Sequence, residues 1–201
     1  MISQYLAAAS VTVVTTNAHI TGTFNVTDSL HLVTANGRID VAATLYHDGA
    51  RHASTNATMI NTNGGISART NLFSSAPAGT GGSFALTLAN TNGALDLAVP
   101  VQPPDSTLVL TGATTGAPVD ARLPTAFEGA FVLDAPGGGV AQAVVDTTAR
   151  DPAGHGRARA VTRYEASPRH VAGEVSWGAP GAGARGSVQL SSVGKAVTLH
   201  A

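Results

Sequence analysis

The stretch Asn90-Thr91-Asn92-Gly93-Ala94-Leu95-Asp96-Leu97-Ala98-Val99 is the clearest copy of a unit that recurs along the chain. A corner of Asn, Thr and Gly joins one short strand to the next. In the second strand, apolar residues alternate with polar or small ones, and this period of two predicts a β-strand with one buried face. Similar corners occur at Thr16-Asn17, Asn36-Gly37, Asn63-Gly64 and Thr115-Gly116, with weaker ones near Gly137-Gly138-Gly139, Ser167-Pro168 and Val193-Gly194.

The corners recur about every 20–30 residues, which is the length of one coil in proteins built from stacked repeats. One coil cannot bury its own apolar row, whereas stacking the next coil on it buries both rows. We therefore predict an all-β chain, with an N-terminal segment at 1–9 and a single β-solenoid domain of about seven to eight irregular coils at 10–201. Asn and Gly are expected at the corners because they tolerate positive φ, and stacked Asn or Thr side chains are expected to hydrogen-bond from coil to coil.

A strand is predicted before each of the five main corners and before Val193-Gly194. The strands are Val11–Thr16, Leu30–Thr34, Ala57–Thr62, Phe84–Ala89, Thr107–Gly112 and Ser187–Ser191. Gly-, Pro- and Ser-rich segments separate the second strand of one coil from the first strand of the next. We expect these loops to cluster along one edge of the fold, and they are His47–Thr55, Ser74–Gly82, Pro100–Asp105, Asp146–Gly156 and Gly178–Gly186.

The composition excludes several functions. The formal net charge is −1, so no overall positive field attracts nucleic acid, and no nucleic-acid partner is expected. There is no cysteine, which rules out disulfides, thiolate metal sites and cysteine nucleophiles. No run approaches the roughly 18 apolar residues of a membrane span. The first ten residues lack the basic start of a signal peptide, whereas the sequons Asn25-Val26-Thr27 and Asn56-Ala57-Thr58 favour an extracellular or cell-surface location.

Three segments carry a resemblance to a known group of proteins. Thr114–Phe131 contains the run Leu123-Pro124-Thr125-Ala126-Phe127-Glu128-Gly129-Ala130-Phe131, and the C-terminal region contains Gly173–Gly178 and Gly186–Ser192. Together with the corners, these segments resemble fungal, mushroom-type β-solenoid proteins that have repeated T-S-N-G-P-I corners. That group is similar to bacterial adhesin-type domains. The resemblance implies a solenoid fold and brings no established activity, catalytic residue or cofactor.

Asp40, Asp96 and Asp120 follow successive corners and are expected to line one face of the coil stack. Paired carboxylates on such a face cleave polysaccharides in some β-helices, which makes an enzyme an alternative. Ser67 interrupts the row, however, and a solvated polar face explains it as well. We predict no catalytic residues, no cofactor and no metal site.

The remaining polar residues have structural explanations as well as functional ones. The seven histidines are His19, His31, His47, His52, His155, His170 and His200, and they are too scattered to suggest three or four converging metal ligands. Arg157, Arg159 and Arg163 are predicted on one strand face, where they would bind anions or blunt an edge. Thr16, Thr34, Thr62, Thr91 and Thr115 suggest a threonine array of the kind found in ice-binding solenoids, although the irregular coil lengths argue against a flat surface.

The two ends of the chain supply the functional hypothesis. The last strand, Ala196–Ala201, and a first strand beginning at about Ser10 have no sequence that predicts a cap. Open strand edges pair with other chains, and a contact that does not close produces a filament. We therefore predict a non-catalytic, adhesin-like structural protein that assembles head to tail with itself, and Val197→Lys is expected to block this. The alternative is a module that binds glycans or cell surfaces through its clustered loops.

Overall fold

The computed structural model of the chain describes residues 2–49, 53–76, 79–179 and 185–201. These residues form one large, mostly parallel sheet and contain no α-helix, and a 3-10 turn lies at Pro136–Gly138. The strands are β1 (Ile2–Thr15), β2 (Ile20–Thr34), β3 (Ile39–His47), β4 (Thr55–Asn61), β5 (Ile66–Ser74), β6 (Ser83–Asn90), β7 (Leu95–Val101), β8 (Thr107–Thr114), β9 (Val119–Arg122), β10 (Gly129–Asp134), β11 (Ala141–Val144), β12 (Arg159–Ala166), β13 (His170–Trp177), β14 (Ser187–Ser192) and β15 (Val197–His200).

Two parallel rows of strands meet in β2. The first half of β2 pairs with β3, and that row continues through β5, β7, β9, β15 and β11. The second half of β2 pairs with β4, and the other row continues through β6, β8, β14 and β10. β1 lies beside β2 along both halves, with one irregularity between Ala8 and Ser10. The chain therefore alternates between the two rows as it advances along the fold.

The apolar positions predicted from the period-two pattern form one continuous core. β3 illustrates the pattern, because from Ile39 to His47 its buried side chains alternate with exposed or half-buried ones. Residues at the same register form a buried row across the sheet, and each fully buried aliphatic side chain contributes about 2 kcal/mol to folding. One such row consists of Ile20, Ile39, Ile66, Leu95, Val119, Val197 and Ala141.

The corners stack on one another and are held by side-chain hydrogen bonds. The Asn36 amide donates to Asn17 Oδ1 at 2.7 Å, Asn63 donates to Asn36 at 2.6 Å, and Asn92 donates to Asn63 at 2.8 Å. The predicted asparagine ladder is therefore confirmed. A second, buried ladder lies just inside it, where Asn61 Nδ2 donates to the Gly37 carbonyl at 2.6 Å. Asn90, Thr114 and Ser192 make the equivalent bond in the following corners.

The corner glycines are required for a different reason from the one predicted. Gly37, Gly64 and Gly93 do not have positive φ. A Cβ on Gly93 would lie 2.1 Å from the carbonyl oxygen of Gly64, and a Cβ on Gly64 would lie 2.1 Å from that of Gly37. Glycine therefore allows neighbouring corners to approach closely, and the left-handed backbone expected from the sequence is wrong at these positions.

The last strand lies inside the sheet, which contradicts the prediction of an open C-terminal edge. β15 pairs with β9 on one side and with β11 on the other, and β14 likewise lies between β8 and β10. After β9 the chain first forms β10 and β11 and then the antiparallel pair β12 and β13. Only then does it place β14 between β8 and β10, and β15 between β9 and β11. The expected coil corner at Ser167-Pro168 is instead the turn of the antiparallel β12–β13 pair.

The described parts of four of the five predicted loops lie close together, at the strand ends opposite the corners. Ser75 N donates to the His47 carbonyl, Gly81 N donates to the Pro104 carbonyl, and Thr107 N donates to the Gly82 carbonyl. Arg185 forms an ion pair with Asp105, which brings the last of these loops to the same edge. One further difference concerns the first strand, which begins at Ile2 rather than at about Ser10.

Candidate functional site

The three aspartates proposed as a catalytic row share the outer face of the β3–β5–β7–β9 strands. Ser67 lies opposite both Asp40 and Asp96, and so interrupts the row as the sequence indicated. Asp96 and Asp120 are direct neighbours on adjacent strands. The structure thus brings two of the three carboxylates together.

A single guanidinium occupies the space between these two carboxylates. Arg122 Nη1 donates to Asp96 Oδ1 at 3.0 Å, and Arg122 Nη2 donates to Asp120. His200 Nε2 lies 3.8 Å from the other oxygen of Asp120. Cleavage of a glycosidic bond requires one carboxyl to donate a proton while the other stays ionised. Here one cation bridges both groups, which is the geometry of an exposed cross-strand salt bridge.

Six of the seven histidines fall in the described part of the chain, and His52 lies outside it. No group of three or more His, Asp or Glu side chains among the described residues is placed to hold a metal ion. His19 Nδ1 accepts a hydrogen bond from the Arg38 backbone at 2.8 Å. His170 lies between Asp134, at 2.6 Å, and Glu165, at 3.2 Å. The hydrogen bond to Asp134 and the negative charges of both partners raise the pKa of His170 above its usual value.

The arginines predicted to form one basic row are separated by the structure. Arg157 precedes β12 and binds Asp151 through two hydrogen bonds of 2.9 and 3.0 Å. These bonds hold the pKa of the Asp151 carboxyl well below its usual range. Arg159 is buried against the ring of Trp177, and this burial lowers its pKa. Arg163 is exposed and donates to the Ala143 carbonyl at 3.2 Å. No continuous anion-binding face results from these three side chains.

The corner threonines do not form one array. Thr16, Thr62, Thr91 and Thr115 are exposed at their corners, but Thr34 is buried and donates to the Ala18 carbonyl. Thr34 therefore belongs to the inner ladder with Thr114. The surface array required for ice binding lacks one of its five predicted members.

The free edge of β1 is a feature that the sequence predicts only in part. Among the described strands, β1 pairs with β2 alone. Residues 1–27 contain no Asp, Glu, Lys, Arg or Pro. Charged residues and prolines on edge strands normally prevent pairing with other chains. Tyr5, Leu6 and Val14 add exposed apolar surface beside this edge.

The opposite end of the strand order is covered. β13 runs antiparallel to β10 along Gly129–Asp134, and β12 runs antiparallel to β13 outside it. The short strand β11 also contacts the β12–β13 pair. Ala141 N donates a hydrogen bond to the Pro168 carbonyl, and the Ala143 carbonyl accepts one from Arg163. His170 on β13 forms ion pairs with Asp134 on β10 and with Glu165 on β12, which link these three strands. We call β12 and β13 the cap of this end. Among the described strands, β11 and β12 also pair with one neighbour each, but β11 has only four residues and β12 carries Arg159, Arg163 and Glu165, whereas β1 is long and uncharged.

No family model, no curated protein and no solved structure matches the chain. The resemblance to the fungal solenoid group therefore remains a prediction carried by the sequence motifs. Within the described residues, no helix has the length and apolar character needed to cross a membrane.

Proposed function

We propose that the chain is a β-solenoid of about seven to eight coils and acts as a non-catalytic structural module. Three features support the coil: the alternation between two parallel rows, the single core that both rows bury, and the stacked corners with their asparagine ladder. The salt-bridged carboxylates favour this function over a polysaccharide-cleaving enzyme. The enzyme alternative predicts that Asp96→Asn abolishes a glycoside-cleaving activity.

The module associates with a second copy of itself through the free edge of β1. The observation that carries this proposal is the contrast between an uncharged edge strand at one end and an antiparallel cap at the other. An edge strand of 14 residues offers many unpaired N–H and C=O groups, which a second strand can satisfy.

The same contrast favours a closed geometry for the association. A filament requires the β1 edge of one copy to pair with the far end of the next. There β13 covers β10, and the outer strand β12 carries Arg163 and Glu165, whose charges oppose pairing with another strand. The free edge is complementary to itself in an antiparallel arrangement, which places the same surface on both sides of a twofold axis. A closed dimer is therefore the expected product in place of the head-to-tail fibre that the sequence suggested. In an adhesin-like protein, such a dimer doubles the number of identical surfaces presented.

The test compares two double variants that place lysines on the same outer face. Thr12→Lys with Val14→Lys charges the β1 edge strand, and both side chains are exposed. Val109→Lys with Thr111→Lys makes the matched change on β8, an interior strand between β6 and β14. Light scattering after size-exclusion chromatography, over a wide range of protein concentrations, reports the mass of each species.

We expect the wild-type protein to shift from its 20.0 kDa monomer towards twice that mass as concentration rises. The β1 variant should stay monomeric with an unchanged melting temperature, because only exposed positions are altered, and the β8 variant should dimerise like the wild type. A wild-type protein that stays monomeric at millimolar concentration contradicts the proposal. Long fibres in electron micrographs also contradict the closed dimer and favour the head-to-tail assembly.

A further inference from the structure

One face of the sheet carries a row of aligned threonines. It is the outer face of the strands that continue from the second half of β2 through β4, β6, β8 and β14, together with the part of β1 beside them, and we name it the threonine face. In strand order, the row consists of Thr12, His31, Thr58, Thr87, Thr111 and Gln189. These residues lie on strands, unlike the corner threonines, and no register shift interrupts the pairing of β2, β4, β6, β8 and β14 along them.

A second row of outward side chains lies beside the first, two residues further along each strand. In the same order, it consists of Val14, Val33, Ile60, Ala89, Ala113 and Ser191. The threonine face therefore repeats hydroxyl and methyl groups in two directions, about 4.8 Å from strand to strand and about 6.6 Å along each strand. Thr, Val and Ile side chains are stiff at χ1, which keeps the array ordered. The asparagine ladder at the adjoining corners favours a flat surface, because flat sheets are usually held by ladders of side chains.

The threonine face differs in charge from the outer face of the β3–β5–β7–β9 strands. That other face carries Asp96 and Asp120 with Arg122 between them. Tyr46 also stacks on Phe73 there, with ring centroids 5.5 Å apart. By contrast, neither row of the threonine face contains Asp, Glu, Lys or Arg. A solvated sheet face normally carries charged side chains, so an exposed, uncharged surface that crosses six strands indicates a binding surface.

We propose that the threonine face binds the surface of an ice crystal. Such a crystal presents water oxygens in a flat lattice, so a complementary protein surface needs hydroxyl and methyl groups that repeat in register. Thr58, Thr87 and Thr111 meet this requirement, since each hydroxyl donates and accepts hydrogen bonds and carries a methyl group beside it. The two rows contain no Phe, Tyr or Trp on which a sugar ring could stack, and no Arg or Lys to bind an anionic polymer. Ice binding does not rest on dimer formation, because Thr87 and Thr111 lie on interior strands.

The test uses nanolitre osmometry to measure thermal hysteresis, which is the gap between the melting point and the freezing point of a small ice crystal. Thr87→Tyr places a large side chain in the centre of the array, whereas Thr87→Val keeps the shape of threonine. Thr23→Tyr is the matched control, because Thr23 is also an exposed strand threonine but lies in the half of β2 that pairs with β3. The double variant Val109→Lys with Thr111→Lys charges the threonine face without altering β1, so it separates ice binding from dimer formation.

We expect the wild-type protein at millimolar concentration to produce thermal hysteresis and faceted ice crystals. Thr87→Tyr should lower the hysteresis at least about fivefold, because the centre of a contact contributes most to binding, while Thr87→Val and Thr23→Tyr should stay within about twofold of the wild type. The lysine variant should lose hysteresis and still dimerise, and unchanged melting temperatures should confirm that every variant folds. Absence of hysteresis in the wild-type protein overturns the proposal. Unchanged hysteresis in Thr87→Tyr, or an equal loss in Thr23→Tyr, also overturns it.

Discussion

Replacing Leu199 by alanine tests whether the C-terminal strand lies inside the sheet. Leu199 is fully buried, and its register neighbours on both sides are alanines, Ala121 on β9 and Ala143 on β11. The substitution removes three carbon atoms, worth about 2.4 kcal/mol of lost burial at about 0.8 kcal/mol each. Small neighbours cannot fill the space, so a cavity penalty adds to this loss, and the expected total is about 3–4 kcal/mol.

The assay is urea unfolding followed by far-ultraviolet circular dichroism and by the fluorescence of Trp177. Trp177 is the only tryptophan and is buried in β13, so its emission reports on the capped end directly. With a slope of about 2 kcal/mol per molar urea, the midpoint should fall by about 1.5–2 M. The control is Val193→Ala, because Val193 is 51% exposed in the adjacent corner and its truncation should change stability by less than about 0.5 kcal/mol.

A loss below about 1 kcal/mol for Leu199→Ala would refute the interior position of β15. A strand paired on one side only would leave Leu199 partly hydrated, and a small effect is the result expected of that arrangement.

Gly93→Ala should destabilise the protein by about 2–3 kcal/mol in urea unfolding, because its Cβ would overlap the backbone of Gly64. Gly116→Ala should change stability by less than about 1 kcal/mol, because the nearest atom to its Cβ would be 3.8 Å away. His170→Gln should lower the melting temperature more at pH 5.5 than at pH 8.5, because folding raises the pKa of His170. The stability that comes from this shift is present below about pH 6.5 and is lost as the pH rises through the pKa of the folded state. Asp151→Asn should lower the melting temperature fully at pH 6 and progressively less below about pH 3.8, since Arg157 lowers the pKa of Asp151 in the folded state and that stabilisation is lost on protonation.

Each of these three predictions has a result that contradicts it. Equal costs for Gly93→Ala and Gly116→Ala would show that close approach of the corners is not what requires glycine. A His170→Gln effect that grows with pH would mean that the ion pairs of His170 do not stabilise the cap. An Asp151→Asn effect that stays constant down to pH 2 would show that the Asp151 carboxylate contributes no ion-pair stabilisation.

The local structure was predictable because it depends on signals close together in the sequence. The alternation Leu95, Leu97, Val99 and the corner Asn92-Gly93 specify a strand with one buried face and the turn before it. The asparagine ladder was also predictable, since corners at similar positions in successive coils must stack. The reason for the corner glycines was not predictable, because the approach of Gly93 to Gly64 depends on the spacing of two coils rather than on one turn.

The order of the strands in the sheet could not be predicted from the sequence. β14 and β15 have the same period-two pattern as parallel strands such as β3, β4 and β6, and a parallel strand accepts any partner with a matching buried face. Their position between β8–β9 and β10–β11 is therefore set by long-range packing. The burial of Arg159 was missed for a similar reason, because Trp177 covers it only after β13 has paired with β12.

The candidate sites show the same division. The row of Asp40, Asp96 and Asp120 was correctly placed on one face, because residues that follow successive corners share a register. Arg122 was not included in that row, although its position two residues after Asp120 on the same strand face was a signal that could have indicated the salt bridge. The pairing of Tyr46 with Phe73 could not be predicted, because it required the exact register between β3 and β5.

Hydrogen exchange of the β1 amides is the most direct test of the central claim that this edge joins two copies of the chain. Exchange measured by mass spectrometry at low and at high protein concentration separates residues 5–15 from the interior strand β8. The account predicts that the β1 amides become protected as concentration rises, while those of β8 stay equally protected at both concentrations. Rapid exchange of β1 at every concentration, with β8 protected, would contradict association through this edge.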